Sequence, residues 1–138
     1  MKSELKFINF VVPKFHFEKS NNESSENIFE LQPQAYISRS INQFHINIEI
    51  DIIDSENNFK LKMLSVGIFE TNFEDEKALF SFISLNGPAI IFPYIRSFIA
   101  NFTSLSGFDT LTLPTLNLSG YQEELIENLI DLDLIEDE

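Results

Sequence analysis

The sequence lacks several residue types on which common protein chemistry depends. Its 138 residues include no cysteine and no tryptophan, so disulfide bonds, thiolate metal sites and a cysteine nucleophile are excluded. The four glycines are scattered singly, and none belongs to a phosphate-binding loop pattern. Only nine residues are Lys or Arg against 22 Asp or Glu, and the net charge of −13 argues against a nucleic-acid partner.

Histidine, the most frequent general acid–base catalyst, is scarce as well. His16 and His45 each lie between apolar residues, in FHF and FHI, which favours an ordinary surface or packed histidine over a ligand or catalyst. The acidic run at 131–138 lacks the glycine turn and alternating oxygen ligands of a calcium loop. These patterns predict that the chain is not an enzyme and has no cofactor or metal.

The sequence also shows no segment of the kind that directs a chain to a membrane. The start, MKSELKFINFVVPKF, lacks a long apolar region and a small-residue cleavage site, and we find no run of about 18 uncharged apolar residues. With 43% hydrophobic residues the chain can still form a core. We therefore expect a soluble, cytoplasmic protein without membrane insertion, built as a single domain over residues 1–138.

Alternating apolar and polar residues predict an antiparallel sheet in residues 1–74. The stretch 44–53 alternates with the period of a half-buried strand. A polar turn at 54–58 leads to a second alternating run that begins at Phe59. These two runs predict a hairpin.

The charges on this hairpin suggest its register. One pairing places Asp51 opposite Lys60 and Glu49 opposite Lys62, and opposite charges across strands contribute about 0.2–1 kcal/mol each. We take this pairing as the prediction.

Two further strands complete a predicted four-stranded sheet. Residues 5–17 are apolar on both faces, with a bulge expected at Pro13. Residues 29–37 alternate more weakly, and Pro33 marks an edge position or a bulge.

The second half of the chain changes to a helical period. Residues 75–107 are predicted to be helical, with a new helix start at 86–88, where Asn-Gly-Pro supplies a cap and a first-turn proline. Residues 108–120 form an apolar loop, and 121–138 form a C-terminal helix with an acidic tail. One face of that helix carries Leu125, Leu129, Leu132 and Ile135.

The helix after residue 86 is apolar almost all round, although Pro93 should kink it. A sheet covers one side of a helix, so the other side needs a second cover. Another subunit would supply it in an obligate oligomer; the alternative is that the C-terminal helix covers it within the monomer.

The stretch GPAIIFPYIRSFIANFTSLSGFDTLTLPTLNL, residues 87–118, resembles the signature region of the SecB export chaperone family. FHFE, LQPQ and GIFE extend a weaker similarity towards the start of the chain. Residues that match the signature are Pro88, Ile90, Ile91, Phe92, Pro93, Tyr94, Arg96, Gly107, Phe108, Leu111, Leu113 and Asn117.

This resemblance implies an α+β fold in which a four-stranded antiparallel sheet carries two main helices on one side. It also implies a homotetramer assembled as a dimer of dimers, which holds unfolded polypeptides without ATP and delivers them for export. The implied oligomer interface consists of Ile91, Tyr94, Ile95, Phe98, Ile99 and Phe102. The implied client-peptide groove consists of Ile37, Met63, Leu111, Leu113, Leu116, Leu118, Tyr121, Leu125 and Leu129.

The resemblance further implies the SecA motor as a partner, bound to acidic residues on the outer face of the sheet. Glu18 matches one such acid, but Lys14, Lys60 and Lys62 stand where acidic or neutral residues are expected, which weakens this prediction. SecB-like chaperones dedicated to an antitoxin are a second reading. An oligomeric structural or adaptor protein without client binding is a third, and an enzyme on this fold is a fourth that the isolated histidines disfavour.

Overall fold

The computed structural model describes residues 4–19, 27–114 and 118–134. Its strands form one sheet in the order β1-β4-β3-β2-β5, antiparallel except where β5 joins β2 in parallel. The short β5 was not predicted, so the sheet has five strands rather than four. The strands are β1 (Lys6–Lys19), β2 (Ile28–Ser38), β3 (Gln43–Asp54), β4 (Phe59–Glu70) and β5 (Ile130–Asp131), and the helices are α1 (Glu76–Ser81), α2 (Gly87–Leu105) and α3 (Gln122–Glu127).

The alternation predicted for the hairpin is confirmed in β3 and β4. Every second residue from Phe44 to Ile52 and from Phe59 to Phe69 is buried. These residues form the inner face of the sheet, against which the helices pack. The intervening residues form the outer face, which is exposed or half-buried.

The predicted register of the hairpin is wrong by two residues. Asp51 lies opposite Lys62, and Glu49 lies opposite Leu64 rather than a lysine. The cross-strand charge pairs on which the prediction rested therefore do not set the pairing.

The turn between the strands sets it instead. The predicted register would leave a two-residue loop of Ser55 and Glu56, and such loops require positive φ angles that these residues disfavour. The loop keeps four residues, with Asn58 at φ 55. The Asp54 carboxylate accepts hydrogen bonds from the backbone N and the side-chain Nδ2 of Asn57, both at 3.0 Å, and these bonds lower the pKa of Asp54.

Both strand prolines occupy positions that tolerate a missing N–H. The register of β1 against β4 shifts between Val11 and Lys14, which confirms the bulge at Pro13. Pro33 pairs with Ile48 without interruption on the part of β2 that β5 leaves as an edge. The edge position is confirmed at Pro33, and there is no bulge.

The helical segment begins earlier than the predicted cap at residue 86. Oδ1 of Asp75 accepts hydrogen bonds from the backbone N of Lys77 at 3.0 Å and of Ala78 at 3.2 Å. Asp75 thus satisfies two of the amide groups that a helix start leaves unpaired. It is the N-cap of α1.

Asn86 does not cap a helix, because α1 continues through a π-helical turn, Phe82–Asn86, into α2. Asn86 has helical backbone angles and makes no capping hydrogen bond. The turn ends two residues before Pro88. The missing N–H of Pro88 cannot bond back to the preceding turn, and irregular turns of this kind accommodate such a break. Pro93 lies inside α2; the kink expected there stays a prediction.

One stripe of α2 belongs to the core of the chain itself. Ile91, Ile95 and Ile99 have no exposed surface and pack with the inner face of the sheet. The opposite side is exposed at Ala89 and Pro93. The second cover expected on that side stays a prediction.

The combined helix from Glu76 to Leu105 has 30 residues, and an 18-residue window within it has a mean hydropathy of 1.5. This corrects the expectation that no segment is long and apolar enough to cross a membrane. Core helices of soluble proteins pass the same test, and 39% of the window is buried inside the structure. The finding is therefore weak evidence for a membrane span.

The predicted C-terminal helix over 121–138 is wrong for residues 128–134, because α3 ends at Glu127; residues 135–138 lie outside the described part of the chain. The chain instead adds β5 to the edge of β2, opposite Tyr36 and Ile37, because an open edge offers unpaired backbone groups. The Asp133 carboxylate holds the segment by accepting bonds from Ser40 N at 2.9 Å and Ser38 Oγ at 3.0 Å. Hydrogen bonds from Ser40 and Ser38 lower the pKa of Asp133.

Candidate functional site

A cleft of mixed apolar and polar lining opens where the paired ends of β1 and β4 meet the segment that follows α2. Its volume is about 180 Å³. We call it the aromatic cleft. It is lined by Phe17, Phe59, Phe108 and Leu111, with Lys19, Asn57, Asp109 and Thr110 at its polar positions.

Ring contacts hold the aromatic residues of the aromatic cleft together. The ring centroid of Phe17 lies 5.6 Å from that of Phe59, 5.0 Å from that of Phe108 and 5.9 Å from that of Phe102. These are separations at which aromatic pairs attract each other. Phe108 is still 37% exposed, so its ring is available to a ligand.

The segment after α2 is held in place by Thr103 and Gly107. Gly107 takes φ 89, a left-handed conformation that ends a helix at little cost only for glycine. The N–H of Phe108 donates to the carbonyl of Thr103 at 2.9 Å. The N–H of Leu111 donates to Oγ1 of the same threonine, also at 2.9 Å. These contacts fix both apolar side chains at the mouth of the cleft.

A second, nearly closed cleft lies between β2 and the segment around α3. Leu31 and Pro33 face Leu118, Tyr121 and Leu125 across it. Its volume is about 10 Å³, which is room for about one water molecule. We call it the β2–α3 cleft.

The residues predicted for the client groove separate into several places. Leu111 lines the aromatic cleft, Leu118, Tyr121 and Leu125 line the β2–α3 cleft, and Leu116 lies outside the described residues. The others belong to the hydrophobic core or pack against it: Ile37, Met63 and Leu113 are buried, and Leu129 is half-buried.

Sequence reasoning did not assign Phe17, Phe59 and Phe108 to the groove. The signal for Phe17 and Phe59 was their position at the ends of two apolar runs, and for Phe108 it was the glycine before it. None of these signals shows that the three rings converge, because the convergence depends on the β1–β4 pairing.

The predicted oligomer interface is only partly available to another chain. Ile91, Ile95 and Ile99 are fully buried in the core. Tyr94 is 46% exposed and contacts Phe7 and Phe10 of β1, and Phe98 and Phe102 contact Phe15. The exposed part of the predicted interface lies on the flank of α2 next to β1, whose outer side has no neighbouring strand in the described part of the chain.

Glu18 lies on the outer face of the sheet, as the SecA prediction requires. Its Oε2 is 3.5 Å from Nε2 of His16, and Lys60 lies directly opposite it on β4. The acid is thus flanked by basic groups. His45 lies on the same face, and burial lowers its pKa.

The fold and the clefts define a class: an α+β protein in which helices cover one face of a sheet and leave apolar clefts at the helix ends. A family model described as preprotein translocase subunit SecB matches residues 13–127. This chain belongs to the SecB family.

Curated relatives agree with the family match. The protein-export protein SecB of Anaplasma phagocytophilum is 31% identical over 87 residues, 60% of this chain and 54% of that protein. The protein-export protein SecB of Roseobacter denitrificans is 34% identical over 68 residues, 49% of this chain and 41% of that protein. The chain thus spans about half the length of the SecB proteins it matches. An uncharacterized protein of Methanocaldococcus jannaschii is 29% identical over 137 residues, 91% of this chain and 87% of that protein.

Two solved structures share the fold. A SecB-like chaperone of Mycobacterium tuberculosis, solved in complex with a ChAD peptide from the HigA1 antitoxin, superposes with a TM-score of 0.65 at 15% identity. The match covers 82% of this chain and 88% of that one. A protein of unknown function from Streptococcus agalactiae superposes with a TM-score of 0.52 at 12% identity, and the match covers 83% of this chain and all of that one.

Proposed function

We propose that this protein is an ATP-independent holdase chaperone, which binds unfolded polypeptides and keeps them from aggregating. The observation that carries the proposal is the aromatic cleft, where Phe17, Phe59 and Phe108 converge beside a half-exposed helix end. Family membership supports it. The proposal places the activity in the cytoplasm and assigns no catalytic role or cofactor to the chain.

The physical basis of holding is burial of client side chains. Removing apolar surface from water contributes about 25 cal/mol per Å², or roughly 1.5–3 kcal/mol for one large apolar side chain. A cleft of about 180 Å³ takes one such side chain at a time. This force has no direction, so one site can bind many sequences.

The β2–α3 cleft extends the proposed groove. Leu118 and Tyr121 are half-buried, and the facing edge of β2 at Pro33 is not covered by β5. A shift of the short α3 away from β2 would widen this cleft for a second client side chain. Ile48 and Pro88 complete the lining of this cleft, whereas the buried groove residues Ile37 and Leu113 belong to the core.

Assembly as a dimer of dimers is part of the proposal. An edge strand of 14 residues such as β1 is an aggregation hazard unless something covers it. A neighbouring subunit on β1 and on the flank at Tyr94 would cover that edge. The groove of each chain would then continue across the assembly.

The test is suppression of aggregation. Insulin whose disulfides have been reduced is incubated with equimolar protein in the absence of ATP, and light scattering is recorded. We expect the intact chain to suppress the scattering and Phe108→Ser to lose most of that effect. Unchanged scattering with the intact chain would contradict the holdase proposal.

Leu105→Ser is the matched control. Leu105 is 88% exposed, more than Phe108, but it does not line the aromatic cleft. If both variants lose suppression equally, general surface apolarity is responsible and the cleft assignment is wrong.

Two client classes are supported by different relatives. The names of the two curated SecB relatives support export, and the antitoxin peptide bound to the Mycobacterium tuberculosis chaperone supports a dedicated antitoxin client. An export role would add SecA as a partner at Glu18, which Lys60 directly opposite disfavours. The alternative is a structural or adaptor protein that kept the fold without client binding. Suppression of aggregation would exclude it, and unchanged scattering would support it.

A further inference from the structure

Arg96 is the only basic residue after Lys77, although nine acidic residues follow it in the sequence. It forms no ion pair with a carboxylate in the described part of the chain. Its half-buried side chain instead donates a hydrogen bond from Nε to the backbone carbonyl of Leu113, at 3.0 Å. Because the donor is charged, this bond is about twice as strong as one between two neutral groups.

Thr103 lies on the same side of α2, about two turns after Arg96. Its hydroxyl is buried and donates towards the carbonyls of Ile99, at 2.9 Å, and Ala100, at 3.1 Å. The same oxygen accepts the hydrogen bond from the N–H of Leu111 at 2.9 Å. We call Arg96 and Thr103 together the α2 clasp.

The α2 clasp holds residues 108–114 along the side of the helix. Leu111 is bound at Thr103 and Leu113 at Arg96, nearer the start of α2, so the segment runs back along the helix. It belongs to no strand or helix, and the hydrogen bonds described for its backbone all lead to α2. The place of the segment on the molecule therefore depends on the clasp.

The clasped segment supplies one side of the aromatic cleft. Phe108 and Leu111 line the cleft, and Leu113, two residues further on, is buried in the core. Leu111 is thus fixed both by the bond at its own N–H and by an anchored neighbour. A loop that is ordered before its ligand arrives avoids the loss of conformational freedom that otherwise opposes binding.

We propose that Arg96 and Thr103 are positioning residues for client binding, which hold Leu111 where the aromatic cleft receives an apolar side chain. This inference rests on the proposed holdase function and adds to it the residues that set the affinity for a client. Neither residue lines the aromatic cleft. Their effect on the client therefore passes through Leu111 and Leu113.

A matched pair of substitutions at Arg96 separates its hydrogen bond from its charge. Glutamine carries Nε2 the same number of bonds from Cα as the Nε of arginine, so Arg96→Gln keeps a donor for Leu113 and removes the charge. Methionine has a methyl group at that place and donates no hydrogen bond. We expect Arg96→Met to weaken client binding about tenfold, and Arg96→Gln less than about threefold.

A second matched pair tests Thr103. Thr103→Val keeps the shape of the side chain but removes the acceptor for the N–H of Leu111, whereas Thr103→Ser keeps the hydroxyl. We expect Thr103→Val to weaken binding about tenfold and Thr103→Ser to retain most of the affinity. The client is reduced, carboxymethylated lysozyme with a fluorescent label, which stays unfolded because its thiols are blocked. Fluorescence anisotropy without ATP measures the binding.

Hydrogen exchange in the free protein distinguishes release of the segment from a general loss of stability. In Arg96→Met and Thr103→Val the amide of Leu111 should exchange about tenfold faster than in the intact chain. The amide of Ile46, in the buried interior of the sheet, should be accelerated less. Equal acceleration of both amides would show that the whole fold has been destabilised and would overturn a positioning role.

The binding results separate this inference from the function on which it rests. If the intact chain does not bind carboxymethylated lysozyme, the holdase proposal fails and the inference fails with it. If the intact chain binds and Arg96→Met binds equally well, only the positioning role is overturned. Equal losses in Arg96→Gln and Arg96→Met would assign the effect to the positive charge, which also overturns the positioning role.

Discussion

Gly67 sets how closely α2 approaches the sheet. A Cβ atom at this position would collide with Cγ2 of Ile91 and would lie 3.0 Å from a ring carbon of Phe69. Ile91 and Phe69 have no exposed surface, so neither can move without disturbing the core. Because glycine has no side chain, α2 can pack closely against the sheet at Gly67.

Gly67→Ala should therefore destabilise the protein by about 1–3 kcal/mol, the usual cost of overpacking a core. The measurement is urea unfolding followed by circular dichroism. Gly120→Ala is the control, because nothing lies within 4 Å of a Cβ built at Gly120, and its effect should stay within about 0.5 kcal/mol. Similar unfolding midpoints for the two variants would show that α2 does not pack on Gly67.

His45, on the outer face of the sheet, should make the free energy of unfolding depend on pH. It lies between Tyr36 and Ile68 on the neighbouring strands, and burial lowers its pKa from the ordinary value of 6.5. Below pH 6.5 the unfolded chain binds this proton more readily than the folded chain, so protonation favours unfolding. The free energy of unfolding should fall from this pH downwards until the pH passes the lowered pKa.

The check is urea unfolding of the intact chain and of His45→Gln at several pH values between about 7.5 and 5, roughly the range over which a histidine titrates. We expect the variant to lose part of the pH dependence. His16→Gln is the control, since the side chain of His16 is 64% exposed. An unchanged slope in His45→Gln would assign the pH dependence to other groups.

At the scale of elements, local sequence explains the interior of each element better than its ends. The alternation in β3 and β4 predicted both strands, because side chains of a half-buried strand alternate between faces. The register and the C-terminal helix were mispredicted, because they depend on the loop at Asn58 and on the open edge of β2. Neither loop geometry nor an open edge is visible in hydrophobic periodicity.

Two substitutions test where the helical segment begins. Asp75→Ala removes the side-chain acceptor for two backbone amides of α1 and should cost about 1 kcal/mol. Asn86→Ala, at the cap predicted from the Asn-Gly-Pro pattern, should be neutral or slightly stabilising, because Asn86 makes no capping bond and alanine favours a helix. Urea unfolding compares the two, and a larger loss in Asn86→Ala would place the helix start at the sequence-predicted residue.

At the scale of the whole molecule, the family and the general architecture were accessible from sequence, whereas the composition of the candidate site was not. The stretch 87–118 identified the family that the match over 13–127 confirms. The aromatic cleft depends on Phe17 and Phe59 meeting Phe108 from three distant parts of the chain. Leu113 and Leu125, assigned to the groove, are buried, and an apolar residue near a groove and one beneath it look alike in sequence.

The last expectation concerns assembly. Sedimentation equilibrium at micromolar concentration should give the mass of an oligomer rather than that of the 16.0 kDa monomer. The reason is that the free edge of β1 and the neighbouring flank of α2 need a cover. Tyr94→Ala should weaken association about tenfold or more, as aromatic side chains at protein interfaces commonly do when truncated. Leu134→Ala is the control: Leu134 is 75% exposed but follows β5, at the opposite edge of the sheet from β1. A stable 16.0 kDa monomer would contradict the assembly, and equal weakening by both variants would place the contact elsewhere than on the β1 side.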